Sequence, residues 1–165
     1  MIKLTPFTLD DIAIMLDWNF TADELVQFGG DAFTYPLTKE QVVSFLNLPN
    51  SQLYKVIDQQ VNQVIGVGEI VTMEDQSTKL ARIVIGDRNS RGKGYGQKMM
   101  QAFVDYCIEE LHSPLITLNV FEWNIGAIKC YEKIGFVFTN DAPRAFELPN
   151  GITHYSKRMD YIVRK

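Results

Sequence analysis

Glycines crowd one short stretch of the chain, Ile85-Gly86-Asp87-Arg88-Asn89-Ser90-Arg91-Gly92-Lys93-Gly94-Tyr95-Gly96. It falls between a β-branched run and the strongest helical pattern in the sequence. Alternate glycines let the backbone turn with several N–H groups facing one way. At a helix N-terminus such free donors, with the positive end of the helix dipole, bind phosphate oxygens. Arg91 and Lys93 add cationic donors. The chemistry expected here is binding of a phosphate or pyrophosphate. Two common phosphate loops do not fit: G-x-G-x-x-G counted from Gly92 or Gly94 would need glycine where Gln97 or Met99 stands, and G-x-x-x-x-G-K-S/T is absent. On glycine count alone, a flexible helix start remains the plain alternative.

Other chemistries find less support. Cys107 and Cys130 are the only cysteines and His112 and His154 the only histidines, all dispersed. A zinc site needs about four clustered ligands, so no metal is expected. Both cysteines fall on apolar helix faces and read as buried free thiols of a reducing compartment.

The elements that must position the glycine loop can be read from periodicity. Three early helix starts carry capping-box spacing: Thr8 with Asp11, Thr21 with Glu24, Thr38 with Gln41. Then the period changes. Leu53–Ile57, Val64–Met73 and Lys79–Ile85 read as strands in an antiparallel meander, with Gly66 and Gly68 marking a bulge or a close backbone approach. After the loop, Met99, Met100, Phe103, Val104, Cys107, Ile108 and Leu111 form one wide helical stripe. Leu115–Phe121 reads as a central strand, parallel to the one before the loop through a right-handed crossover. A short helix capped by Asn124 and closed by Gly135 comes next, then a hairpin with a two-residue turn at Asn150-Gly151. The fold class expected is α+β: one domain over residues 1–165, with a mixed, mostly antiparallel sheet, a splayed central parallel strand pair and flanking helices.

Composition sets the outer limits. With 165 residues, 46% hydrophobic, the chain fits one globular core and is not disordered or fibrous. The formal charge of -4 argues against nucleic acid as a partner. No apolar run reaches the roughly 18–20 residues of a membrane span, so no membrane is expected. The first residues, Met1-Ile2-Lys3-Leu4-Thr5-Pro6, lack a signal-peptide core, and a cytoplasmic location is expected.

Two blocks carry a family resemblance. Arg91-x-x-Gly94-x-Gly96 resembles the acyl-CoA signature Arg/Gln-x-x-Gly-x-Gly/Ala of the GNAT N-acetyltransferase superfamily, in the expected strand-loop-helix setting. Asn124-x-x-Ala127-x-x-x-Tyr131-x-x-x-Gly135-Phe136, one crossover helix and one strand later, is similar to the family's second block. The resemblance covers Lys79 to Phe138 and leans toward ribosomal-protein N-terminal and spermidine acetyltransferases.

The resemblance implies an acetyl-CoA-dependent N-acetyltransferase, with acetyl-CoA as cosubstrate and a primary amine as acceptor (polyamine, peptide N-terminus or other small amine). It implies cofactor binding by Ile83, Val84 and Ile85 along the pantetheine arm, by Arg91, Gly92, Lys93, Gly94, Tyr95 and Gly96 at the pyrophosphate, and by Asn124. Tyr131 would sit at the thioester sulfur and protonate the leaving thiolate. The strands at Ile83–Ile85 and Leu115–Phe121 would part to make the slot. Many relatives carry an acid at the position of Arg82; with arginine there, Glu69 on the neighbouring strand is the expected base, a water chain the alternative, and Glu122 and Asp31 are solvated charges. Glu24, Gly29, Gly30, Asp31, Phe33 and Tyr35 would form an acidic, aromatic acceptor pocket. The resemblance also allows a homodimer. The competing reading is a CoA-binding regulatory module without transfer activity, which the arginine at 82 motivates; a third is a nucleotide-binding protein.

Overall fold

The structure is a computed structural model that describes residues 1–148 and 150–164. In chain order the elements are β1 (Ile2–Pro6), α1 (Ile12–Asp17), α2 (Ala22–Gly29), α3 (Lys39–Leu46), β2 (Ser51–Asp58), β3 (Gln63–Thr72), β4 (Thr78–Ile85), α4 (Tyr95–Glu109), β5 (Leu115–Phe121), α5 (Ile125–Ile134), β6 (Val137–Phe138), β7 (Arg144–Glu147) and β8 (Thr153–Ile162). They form one eight-stranded sheet, β1-β2-β3-β4-β5-β8-β6, with β7 also on β8. The β4–β5 pair is parallel and the other pairs are antiparallel. This is the expected α+β mixed sheet. β1 was not legible: its Ile-Lys-Leu-Thr alternation spans only four residues before Pro6, and it exists by pairing with β2.

Local chemistry explains most boundaries. The Thr21 hydroxyl accepts from Glu24 N–H at 3.1 Å while the Glu24 carboxylate accepts from Thr21 N–H at 2.9 Å, a complete capping box that starts α2. Thr38 starts α3 by accepting from Gln41 N–H at 3.3 Å. The reciprocal half is missing there, because the Gln41 amide turns back to Thr34 and Pro36. The apolar stripe of α4 ends at Glu109, so Leu111 lies beyond the helix and is partly exposed. The last turn instead unwinds through Ser113 N–H to the Cys107 carbonyl at 2.9 Å. The closing hairpin also departs from expectation. Glu147 pairs with Thr153 and Leu148 N–H bonds the Ile152 carbonyl at 3.0 Å, so pairing ends at Leu148 and Ile152 rather than at the residues flanking a two-residue turn, and Gly151 has φ 82°.

Two cores clamp the sheet. On one face α4 and α5 bury Phe103, Val104, Cys107, Ile116, Phe136 and Met159. On the other α1, α2 and α3 bury Met15, Leu25, Phe28, Val42, Leu53 and Val67. Burial pushes the Cys107 thiol up to about 11, in keeping with a structural thiol.

The bulge foreseen at Gly68 shapes the far half of β4. Val67 pairs with Val84 and Glu69 with Ala81, so Gly68 alone opposes Arg82 and Ile83. Arg82 takes a left-handed backbone (φ 47°), which costs a residue with a Cβ about 1–2 kcal/mol. A Cβ on Gly68 would run into the Phe103 ring of α4, so this close approach needs glycine. Gly66 sits at a second slip, between Val56 and Ile57 of β2.

Candidate active site

The parallel register runs Thr78↔Ile116, Lys79↔Thr117, Leu80↔Leu118 and ends there. β4 continues to Ile85 and β5 to Phe121, so the two strands part beyond Leu80. A cavity of about 650 Å³ opens between them. Ile83, Val84, Ile85, Arg91, Gly92, Gly96, Asn124 and Tyr131 all line it. Lys93, Gly94 and Tyr95 do not line it, and Lys93 is exposed.

At one end lies the start of α4. Gly94 is its N-cap residue, at φ 82°, and no side chain caps the helix. The first-turn N–H groups are therefore left to solvent or ligand, the arrangement that binds anions. The Tyr95 side chain turns away and its hydroxyl donates to Asp58 at 2.6 Å, a bond that raises its pKa.

Arg91 is a strut in this structure. Its Nε donates to the Ile85 carbonyl at 2.9 Å and its Nη1 to Glu24 at 2.5 Å. Arg88 holds the other side of the same carboxylate at 2.8 Å. Desolvation alone would raise the Glu24 pKa, but hydrogen bonds from Arg88, Thr21 N–H and Arg91 outweigh it and hold the carboxyl at about 2. α2, the glycine loop and the end of β4 are thereby tied together.

Tyr131 stands on α5, which Asn124 caps by accepting from Ala127 N–H at 3.4 Å and Gly135 closes at φ 127°. The Tyr131 ring lies edge-on to Phe136 with centroids 6.1 Å apart. Burial, then the neighbouring Cys130, pushes its hydroxyl up to about 12. At neutral pH that hydroxyl keeps its proton and can give it away. Cys130 itself, expected in the core, is half-buried and lines the cavity.

Glu69 is not brought to the cavity. It is 3% exposed, on β3, with the Ser51 hydroxyl donating to one carboxylate oxygen and Arg82 Nη1 3.5 Å from the other. Arg82 lines the cavity in its stead, its guanidinium 5.9 Å from the Phe45 ring centre. Of the expected acceptor pocket, Glu24, Gly29, Gly30 and Asp31 line the cavity. Phe33 is instead buried in the helix-side core, and Tyr35 is exposed away from the cavity. Residues that sequence reasoning missed include Lys79, Asn119, Phe121, Arg144, Phe146 and Ser156. For Lys79 a signal existed: strand alternation puts it on the face opposite the core residue Leu80. Among the described residues no group of His, Cys, Asp and Glu could hold a metal, and no helix is long and apolar enough to cross a membrane.

Comparison with known proteins agrees with this geometry. A family described as an acetyltransferase (GNAT) domain matches residues 2–137. The chain is 34% identical over 71 residues to a spermine/spermidine N(1)-acetyltransferase of Bacillus subtilis strain 168, a match covering 41% of this chain and 47% of that protein. It thus spans about half the length of the polyamine acetyltransferases it matches. It is 23% identical over 163 residues to an aminoglycoside N(6')-acetyltransferase type 1 of Klebsiella pneumoniae, covering 88% and 81% of the two chains. Among solved structures, a spermidine N-acetyltransferase from Vibrio cholerae in complex with CoA and spermine superposes with TM-score 0.82 at 21% identity, covering 98% and 95% of the chains. That likeness speaks to the fold.

Proposed function

The chain belongs to the acetyltransferase (GNAT) domain family, and from that premise we propose that residues 1–165 act as one N-acetyltransferase domain, moving an acetyl group from acetyl-CoA to a primary amine by direct attack in a ternary complex. One observation carries the reading: an uncapped helix N-terminus, the free edge of a splayed strand and a proton-bearing tyrosine all line the same cavity.

Each group has its own task. Backbone N–H groups around Gly92 and Gly96 bind the cosubstrate's pyrophosphate, while Arg91 and Glu24 keep that loop in place. The edge of β4 at Ile83–Ile85 pairs with the pantetheine arm and aims backbone donors at the acetyl carbonyl. Each such donor on a developing oxyanion is worth about 10²–10³ in rate. Asn124 spends its carbonyl oxygen on the α5 cap and keeps its amide N–H groups for the arm. Acetyl-CoA supplies the activated acyl group. The amine nitrogen forms the new C–N bond as the C–S bond breaks, Tyr131 gives its proton to the departing sulfur, and the proton that the acylated nitrogen sheds returns to Tyr131 through solvent, leaving a neutral amide and the CoA thiol.

The acceptor must first lose a proton, since an alkyl ammonium has a pKa near 10.4. Glu69 is enclosed, so water at the cavity mouth takes that proton. Glu69 is assigned instead to holding Arg82 in its left-handed conformation. Dependence on acetyl-CoA favours a cytoplasmic location. The homodimer stands as part of the same proposal, to be checked by sedimentation of the purified chain.

The test is CoA thiol release from acetyl-CoA across a panel of primary amines. The relatives' names make spermidine, spermine and an aminoglycoside the first to try. Amine-dependent release supports the reading. CoA binding with no release on any amine would replace it with the binding-module alternative, and no CoA binding would overturn both.

A further inference from the structure

The cavity has the wrong charge for a polycation. Lys79, Arg82 and Arg144 all line it. The carboxylates that line the cavity are Glu24 and Asp31, and Glu24 is consumed by Arg88 and Arg91. Asp31 alone is left to face three cations, with Glu69 behind the wall partly balancing Arg82. Arg144 is exposed, and its guanidinium lies over the Phe146 ring at 4.7 Å, with Phe146 also lining the cavity. The crowding registers on Lys79, whose ammonium pKa is lowered by burial and then by Arg82 and Arg144.

Two polar groups that belong to cavity-lining residues lack partners among the described residues. The Ser156 hydroxyl, on a residue 5% exposed, has no hydrogen bond, and neither does the buried Nε of Arg82. Ser156 pairs across the sheet with Phe121, and both line the cavity. Buried donors without partners in a cavity whose cations are only partly balanced are what an anion completes, and a guanidinium favours carboxylate or phosphate oxygens.

We propose that the acceptor is an amine that also carries an oxyanion, a carboxylate or a phosphate, and that Lys79, Arg82, Arg144 and Ser156 seat that group. The proposal rests on the acetyltransferase reading and sharpens it. The anion would hold the acceptor by one end and present its amine toward the thioester carbonyl near Tyr131. A spermidine-like polycation would place like charges against the same wall, which selects against it.

The experiment compares kcat/KM for four amines at fixed acetyl-CoA: butylamine, 4-aminobutyrate, 2-aminoethyl phosphate and spermidine. The expected result is at least a 30-fold advantage of one anionic amine over butylamine, with spermidine last; the better of the two anionic amines identifies the group. That advantage should shrink as salt is raised. Arg144→Glu, at an exposed position, should lower kcat/KM for the preferred anionic amine at least tenfold and raise it for spermidine. Lys79→Met should raise the KM of that amine while leaving the KM of acetyl-CoA within twofold. Spermidine or butylamine matching or beating both anionic amines would overturn this inference and leave the acetyltransferase reading standing. No thiol release with any of the four, from protein that binds CoA, would overturn this inference, and silence extending to spermine and an aminoglycoside would overturn the acetyltransferase reading with it.

Discussion

Replacing Tyr131 with phenylalanine isolates a single hydroxyl. The ring would keep its edge-on contact with Phe136, 6.1 Å between centroids. The hydroxyl donates no hydrogen bond to a described residue, so its loss strands no partner, and the melting temperature should move by no more than about 2 °C. The kinetic loss is bounded by acid strength. General acid help spans about 10²–10⁴ in rate. With the Tyr131 pKa pushed up to about 12 and an ordinary thiol near 8.5, proton transfer to sulfur runs uphill by three to four pH units. The lower end is therefore expected: kcat down about 100-fold, or roughly 2.7 kcal/mol of barrier, with the KM of acetyl-CoA within about twofold. The assay is thiol release at saturating cosubstrate, beside a melt of each protein. A pH series adds a second reading. kcat/KM should climb as the amine deprotonates, with no alkaline fall until the tyrosine itself ionises near 12. A kcat within threefold of wild type would remove Tyr131 from the chemistry. A melting point several degrees lower would show that the hydroxyl is structural.

Three further outcomes are expected from the fold. Glu24→Gln removes the carboxylate that Arg88 and Arg91 grip; the partners are partly exposed and screened by solvent, so about 1–2 kcal/mol is expected at pH 7, or roughly 3–6 °C in melting temperature. Because the folded pKa of Glu24 lies below its ordinary value of 4.5, at about 2, this stabilisation is present above 4.5 and is lost as pH falls toward 2. The gap between the denaturation midpoints of the two proteins should thus hold from pH 7 to about 4.5 and narrow as pH falls from there toward 2, and a constant gap would refute the ion-pair account. Gly68→Ala drives a Cβ into the Phe103 ring and should cost about 1–3 kcal/mol by chemical denaturation, whereas a neutral result would deny the close approach. Iodoacetamide should label cavity-lining Cys130 slowly, since burial raises its thiol, and Cys107 only on unfolding; CoA should slow labelling of Cys130 further, and mass mapping that finds no protection would place CoA elsewhere.

Features that depend on neighbours a few residues away were legible. The Thr21–Glu24 box, the Asn124 and Gly135 caps, the stripe of α4 and the limits of β5 all arise from residues within one or two turns, where propensity and capping act. The parallel crossover was legible too, because a strand, a helix and a strand in succession admit few topologies. The closing turn was not, since the point where pairing ends is settled by the β7–β8 register rather than by Asn150-Gly151 alone.

The amino-acid order by itself determined an α+β mixed sheet with a glycine loop at a helix start, and a tyrosine on the helix after β5. It did not determine whose charges meet. Arg91 looked like a free phosphate ligand, yet folding pairs it with Glu24, 67 residues away. Glu69 looked like a base, yet the β3–β4 bulge turns Arg82 onto it and shuts it from the cavity. The pocket read as acidic becomes cationic once β4 and β7 bring Lys79 and Arg144 to one cavity. Such pairings are set by strand register and by the bulge at Gly68. A one-residue slip would send each side chain to the opposite face, so the charge of the site is a property of the sheet rather than of any local stretch of sequence.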